Sequence, residues 1–206
     1  MPLYRAAVVA IAVLAVPLAH AASQRTFVST TGVNNLNCFI NTPCRDFVTA
    51  LAATNPGGEI VVLDSGGYGG VAIAQSVSII APSGVYAGIS VLAGDGVTIA
   101  AGAGGKVTLR GLTINGQGGS RGIVVTSAAE VHIEQCIVTN MVSDGIRIDG
   151  GTSIHVRDSA IRSNGVNGLD IVAAASKVRV VDSQFSNNTN DGILVVAGTV
   201  DAARST

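Results

Sequence analysis

From Val107 onward, apolar and polar residues alternate with period two in short runs, and the runs recur every 23–24 residues. The segments VTLRGLTINGQGGSRGIVV, VHIEQCIVTNMVSDGIRI, IHVRDSAIRSNGVNGLDI and VRVVDSQFSNNTNDGILV begin at Val107, Val131, Ile154 and Val178 and align almost without gaps. Period-two alternation marks strands with one buried face, because successive side chains point to opposite sides. A unit this small cannot bury its apolar face alone. Repetition at this length therefore predicts a solenoid in which each coil covers the next.

Each coil carries three such strands. The first follows a turn ending in glycine, at Gly122, Gly145, Gly168 and Gly192; the second starts at Val107, Val131, Ile154 and Val178; the third starts at Leu112, Cys136, Ser159 and Ser183. Three strands per coil, all advancing in one direction, predict three parallel sheets around a common axis. Traced backwards, the first strand recurs at Val97 and Val71, the second at Val77, and the third at Ile89 and Val61, with longer turns between them. Six first-sheet rungs at roughly 4.8 Å each make a stack about 25 Å tall. Ile123, Ile146, Leu169 and Ile193 are expected to form one buried column, and Val131, Ile154 and Val178 another. After the rung at Ile193, residues 198–206 retrace the second strand, with Val200 aligned on Val178, and stop mid-coil. The β-helical unit, residues 59–206, is thus expected to be incomplete at its C-terminal end and able to associate through it.

The residues ahead of the coils read differently. Arg5, the apolar run Ala6–Leu18 and Ala19-His20-Ala21 have the form of a secretory signal, residues 1–21. The run is too short for a membrane span, which needs roughly 20 residues. Residues 22–58 are expected to form a cap. Cys38 and Cys44 lie six apart in an Asn/Pro-rich loop, and in an exported chain a disulfide is the natural reading. Thr42-Pro43 is a helix start and Asn55-Pro56-Gly57-Gly58 a stop, with Phe47, Val48 and Leu51 on one face between them. Such a helix can plug the open end of the core or pack along its side. Cys136 is expected to be a buried, unreactive thiol.

Charge changes the picture only by exclusion. Removing residues 1–21 takes away Arg5 and no acid, which leaves 11 basic against 13 acidic side chains. That balance excludes electrostatic steering of nucleic acid or of an anionic membrane. With no Trp and 26 Gly, the composition suits many turns around an aliphatic interior, not a sugar-stacking surface.

The period, the Gly-Ile/Leu strand starts, the turn residues Asn140, Asn164, Asn187 and Asn188, and the helix before the coils resemble the pectin-lyase-like superfamily of right-handed parallel β-helices. The resemblance covers residues 59–206 and the helix ahead of them. It implies an all-β, right-handed parallel β-helix with an N-terminal capping helix. It also implies that any enzyme activity would use a groove along the first sheet, with carboxylates and a basic residue on neighbouring coils. The superfamily spans lyases, hydrolases, tailspikes and adhesins, so fold does not transfer function.

Two surfaces are candidates. On the first sheet the outward column is Thr98, Val124, Arg147, Asp170 and Leu194, and the residues before each glycine form a second column, Asp95, Arg121, Asp144, Asn167 and Asp191. Asp144, Asn167, Asp170 and Asp191 offer oxygen ligands suited to Ca²⁺, with Arg147 beside them. The competing reading is turn chemistry, in which Asp-Gly and Asn-Gly accept positive φ where a strand begins. On the second sheet the outward residues include His132, Glu134, His155, Arg157 and Arg179, a patch suited to a glycan. His132 and His155 on consecutive rungs can bind a transition metal only with a third ligand.

Catalytic motifs of the superfamily are missing. The chain has no Gly-His-Gly, no Asp-Asp and no Arg-Ile-Lys, the nearest string being Arg147-Ile148-Asp149, and no Trp-bearing lyase signature. The leading expectation is an exported binding or scaffold module, periplasmic, extracellular or at the cell surface, with a polysaccharide or protein partner and no required cofactor. The alternative is a Ca²⁺-assisted polysaccharide lyase on the first sheet.

Overall fold

A computed structural model describes residues 23–206; the signal-like segment, residues 1–21, lies outside the described residues. The chain winds as a parallel β-helix of three sheets. The first sheet holds six strands from Val71–Ile73 to Ile193–Val195, the third holds six from Gly66–Gly67 to Gln184–Ser186, and the second holds eight from Ser23–Val28 to Thr199–Ala203. All pairings between these strands are parallel. The expected register is observed: Ile123, Ile146, Leu169 and Ile193 pair in sequence, as do Val131, Ile154, Val178 and Val200.

The interior is aliphatic because each inward position repeats on the next coil. Ile123, Ile146, Leu169, Ile133, Val156 and Ile161 are completely buried. At the last rung this closure loosens, with Ile193 half-buried and Val195 and Val196 exposed. Between the second and third sheets every later coil turns on one residue in left-handed backbone: Gly111, Gln135, Asp158, Asp182 and Arg204. Only the first of these is glycine, so the turn tolerates the conformation with polar side chains.

Hydrogen-bonded side-chain ladders follow the turns. Asn188 Oδ1 accepts from the backbone N–H and the Nδ2 of Asn164, and Asn164 Oδ1 accepts from the Met141 N–H. A second ladder stacks Cys136, Ser159 and Ser183: the Cys136 N–H donates to Ser159 Oγ, and the Ser159 N–H to Ser183 Oγ. These three residues sit in the turn just before the third-sheet strands and not within them. Buried backbone groups at the corners are satisfied in this way, coil after coil.

Four further expectations need correction. Val61-Val62-Leu63 is not a third-sheet strand; Val61 and Val62 belong to Thr54–Val62, paired with Val77–Ile80 in the second sheet, and the third sheet starts instead at Gly66–Gly67. The helix does not begin at Pro43. It spans Phe47–Ala53, with the Asp46 carboxylate accepting from the Thr49 N–H and Thr54 as C-cap, while Asn55–Gly58 already lies in a strand. Cys44 is held extended because its N–H donates to Phe27 O. The buried helix face is Phe47, Ala50 and Ala53, and Val48 points to solvent.

The fourth correction concerns the turn glycines. None of Asp144, Asn167, Asp191 or the glycines after them has positive φ. Glycine is needed there for space: a Cβ at Gly145 would lie 2.5 Å from Ile161 Cγ2 and 2.8 Å from Gly168 O, and one at Gly168 would lie 2.5 Å from Gly192 O. The backbone of each coil runs too close to the next for any side chain.

The helix packs on Ser23–Val28, Thr54–Val62 and Val71–Ile73, which places it at the start of the stack. Phe47 meets the ring of buried Tyr68 at 5.4 Å. Cys38 and Cys44 form the expected disulfide. The strand Ser23–Val28, unforeseen from the sequence, pairs with Thr54–Val62 and covers the edge that strand would otherwise expose.

Candidate functional site

The alternation of the second-sheet strands sends every other side chain outward, and parallel register stacks those side chains coil on coil. His132 pairs in register with Thr108 and His155, and His155 with Arg179; Glu134 pairs with Arg110 and Arg157. The result is a groove lined by His132, Glu134, His155, Arg157, Arg179 and Arg204, with Asp158 and Asp182 on its turn side. All five residues expected on this surface lie together in it. Arg204 was missed because it lies in a C-terminal segment read only as an interrupted strand.

The groove is ordered by charge. Glu134 Oε2 accepts from Arg110 Nη2 at 2.6 Å and Nε at 3.0 Å, while its other oxygen accepts from Arg157 Nη2 at 3.2 Å. Burial opposes ionisation of Glu134, but the Arg110 hydrogen bond and the nearby charges of Arg110, Arg157 and His132 outweigh it and hold the carboxyl below its ordinary range. Arg204 forks onto Asp182 through Nε and Nη2 at 2.6 and 2.7 Å. Arg179 is the loosest cation, with Asp201 only at 4.0 Å and both side chains mostly exposed. The rings of His132 and His155 stack at 4.7 Å with 9° between their planes.

On the first sheet the candidate residues differ in burial, and Asp191 is exposed. Asp144, Asn167 and Asp170 are all buried. Asp144 Oδ1 accepts from the Asn167 N–H and Nδ2, its Oδ2 accepts from Ser143 Oγ, and Asn167 Oδ1 accepts from the Asp191 N–H. Arg147 donates to Asp170 Oδ2 through Nη1 and to Asp149 Oδ1 through Nε, each at 2.7 Å. Arg147 and Arg121 also approach Asp144 at 3.8 and 3.7 Å. The register thus brings Arg147 to Asp170 and links Asp144, Asn167 and Asp191 as a ladder, with most of their oxygens committed to the protein itself.

Two buried atoms there make no hydrogen bond, Asp170 Oδ1 and Arg121 Nε. Burial pushes the Asp170 carboxyl above its ordinary range despite the Arg147 charge beside it. Among the described residues, the set of histidine, cysteine and carboxylate side chains close enough to share a metal ion is Glu130, His132 and His155, on the second sheet. Glu130 was not foreseen, although it lies two residues before His132 and therefore on the same outward face. Cys136 offers no nucleophile: it is buried, and burial pushes its thiol up to about 11.

The chain matches the family model "Right handed beta helix region" over residues 59–203. Among solved structures it is similar to "Crystal structure of pectate lyase Pel9A", with a TM-score of 0.73 and 19% sequence identity. That alignment covers 89% of this chain and 53% of the lyase, so this chain spans about half of the lyase's length. No curated protein matches the chain by sequence. Identity at this level speaks for the shared fold alone. With the family model matching 59–203 and all three parallel sheets present, the chain belongs to the right-handed β-helix family.

Proposed function

We propose that this chain is an exported β-helix that binds an acidic polysaccharide along the groove of its second sheet and acts as a binding or scaffold module. The carrying observation is that Arg157, Arg179 and Arg204, one from each of three consecutive coils, line one groove beside the stacked histidines. Cations contributed coil by coil to one groove suit a polymer with recurring carboxylates. The loosely paired Arg179 is the donor most free to take one. Pectate, the polymer in the name of the lyase of similar fold, belongs to this class. The Cys38–Cys44 disulfide and the signal-like residues 1–21 support an oxidising, exported setting.

One observation favours a second reading, a Ca²⁺-assisted lyase on the first sheet: the unpaired Asp170 oxygen beside the Arg147 guanidinium. Binding is preferred because the other oxygens there already serve the ladder.

The test is calorimetric titration with polygalacturonate oligomers, with and without Ca²⁺, followed by ultraviolet detection of unsaturated products. Salt-sensitive binding is expected, without product. Arg157→Ala and Arg179→Ala should each weaken it about fivefold, the factor that roughly 1 kcal/mol represents. Binding unchanged in both variants, or equal binding of a neutral glucan, would overturn the groove assignment. Unsaturated product that disappears in Asp170→Asn would establish the lyase instead.

A further inference from the structure

The second-sheet strand Glu130–Glu134 sends Glu130, His132 and Glu134 to one face, and the next strand, Ser153–Arg157, sends Ser153, His155 and Arg157 to the same face. Glu130 pairs in register with Ser153 and His132 with His155. His132 Nε2 lies 3.0 Å from Glu130 Oε1, and His155 Nε2 lies 3.0 Å from Ser153 Oγ. Both imidazoles therefore turn the same nitrogen towards the start of their strands. One ligand atom from each of Glu130, His132 and His155 lies within 4.8 Å of the other two.

We propose that Glu130, His132 and His155 form a binding site for a divalent transition-metal ion of the Zn²⁺ class, at the rim of the polysaccharide groove. Two imidazole nitrogens and one carboxylate oxygen are a donor set that Zn²⁺, Ni²⁺ and Cu²⁺ accept and that Ca²⁺, which takes oxygens, does not favour. Metal–nitrogen bonds are about 2.0–2.1 Å, so small tilts of the stacked rings bring both nitrogens onto one ion. His132 and Glu130 are each about one-third exposed, which leaves coordination positions open to water. Lys106 Nζ holds Glu130 Oε2 at 3.1 Å and leaves Oε1 for the metal.

The inference does not depend on polysaccharide binding, because it is measured with the metal alone.

The test uses the full chain without an affinity tag. Calorimetry with ZnCl₂ should give one saturable site per chain, and Cu²⁺ electron paramagnetic resonance should show coupling to imidazole nitrogen. His132→Asn and His155→Asn should each weaken Zn²⁺ about tenfold or more, and Glu130→Gln should do so with little effect on melting. His20→Asn, altering the chain's remaining histidine, should change nothing. Absence of saturable Zn²⁺ binding, binding that survives His155→Asn, loss of binding in His20→Asn, or displacement by excess Ca²⁺ would overturn the site. None of these outcomes bears on the polysaccharide titration, so each claim fails separately.

Discussion

Asn167 donates both its backbone N–H and its Nδ2 to one oxygen of Asp144 on the preceding coil, at 3.2 and 3.1 Å. Both residues are buried, and the pair sits where each coil enters the first sheet. Asp144→Ala removes the acceptor and leaves two buried donors without partners. The expected cost is about 2–3 kcal/mol. Asp144→Asn keeps an acceptor oxygen and should cost about 1 kcal/mol or less. Urea titration of the two variants distinguishes this ladder from a solvated surface pair, for which both changes would be near neutral.

The stack itself is tested at Ile146, which pairs with Ile123 and Leu169 and is completely buried. Ile146→Asp places a carboxylate in an aliphatic column with no partner and should cost several kcal/mol. Ile146→Val deletes one methylene and should cost about 0.5–1.5 kcal/mol. Equal melting temperatures for the Asp variant and the parent would mean that the register is wrong.

The register was legible because the same inward residue types return at a fixed interval, and each coil confirms the phase of the last. The first coil was not. Gly66–Gly67 makes a strand through backbone pairing alone, without an apolar side chain to announce it, and the neighbouring Val61 and Val62 drew the assignment to themselves. Thr42-Pro43 has the local form of a helix start, but the disulfide and the Cys44 N–H bond to Phe27 O hold that segment extended. Local preference lost there to a covalent and long-range constraint. At the candidate sites the columns were readable and the burial was not: Asp170 occupies an outward position yet is buried. Glu130 was within reach, since period two places it beside His132.

The three cysteines should separate cleanly by reactivity. With the Cys38–Cys44 bond formed and Cys136 buried with its thiol pushed up to about 11, the native protein should show no fast-reacting thiol. Denaturation without reductant should reveal one, and with reductant three. Replacing Cys38 and Cys44 by Ser releases a short loop and should cost about 2 kcal/mol in the chain-entropy view. Two reactive thiols in the native protein would contradict the pairing.

Asp64 ties the N-terminal cap to the first coil and predicts an acid-sensitive seam. It accepts from Ser29 Oγ and the Thr30 N–H, each at 2.8 Å, and from the Tyr68 hydroxyl. Burial opposes its ionisation, but the hydrogen bonds from Tyr68, Thr30 and Ser29 prevail and lower its pKa from 3.8 to about 2. A carboxyl whose folded pKa is depressed binds protons more readily when unfolded, so its stabilisation is complete above about pH 4 and is lost as the pH falls towards about 2. Asp64→Asn should therefore melt below the parent at neutral pH, and the gap should narrow through that acid window. Other depressed carboxyls act equally in both proteins and cancel in the difference. Melting curves of the pair from neutral pH down to the acid limit measure the gap directly. A gap that stays constant with pH would show that the Asp64 hydrogen bonds do not depend on its charge, and the seam would then be steric.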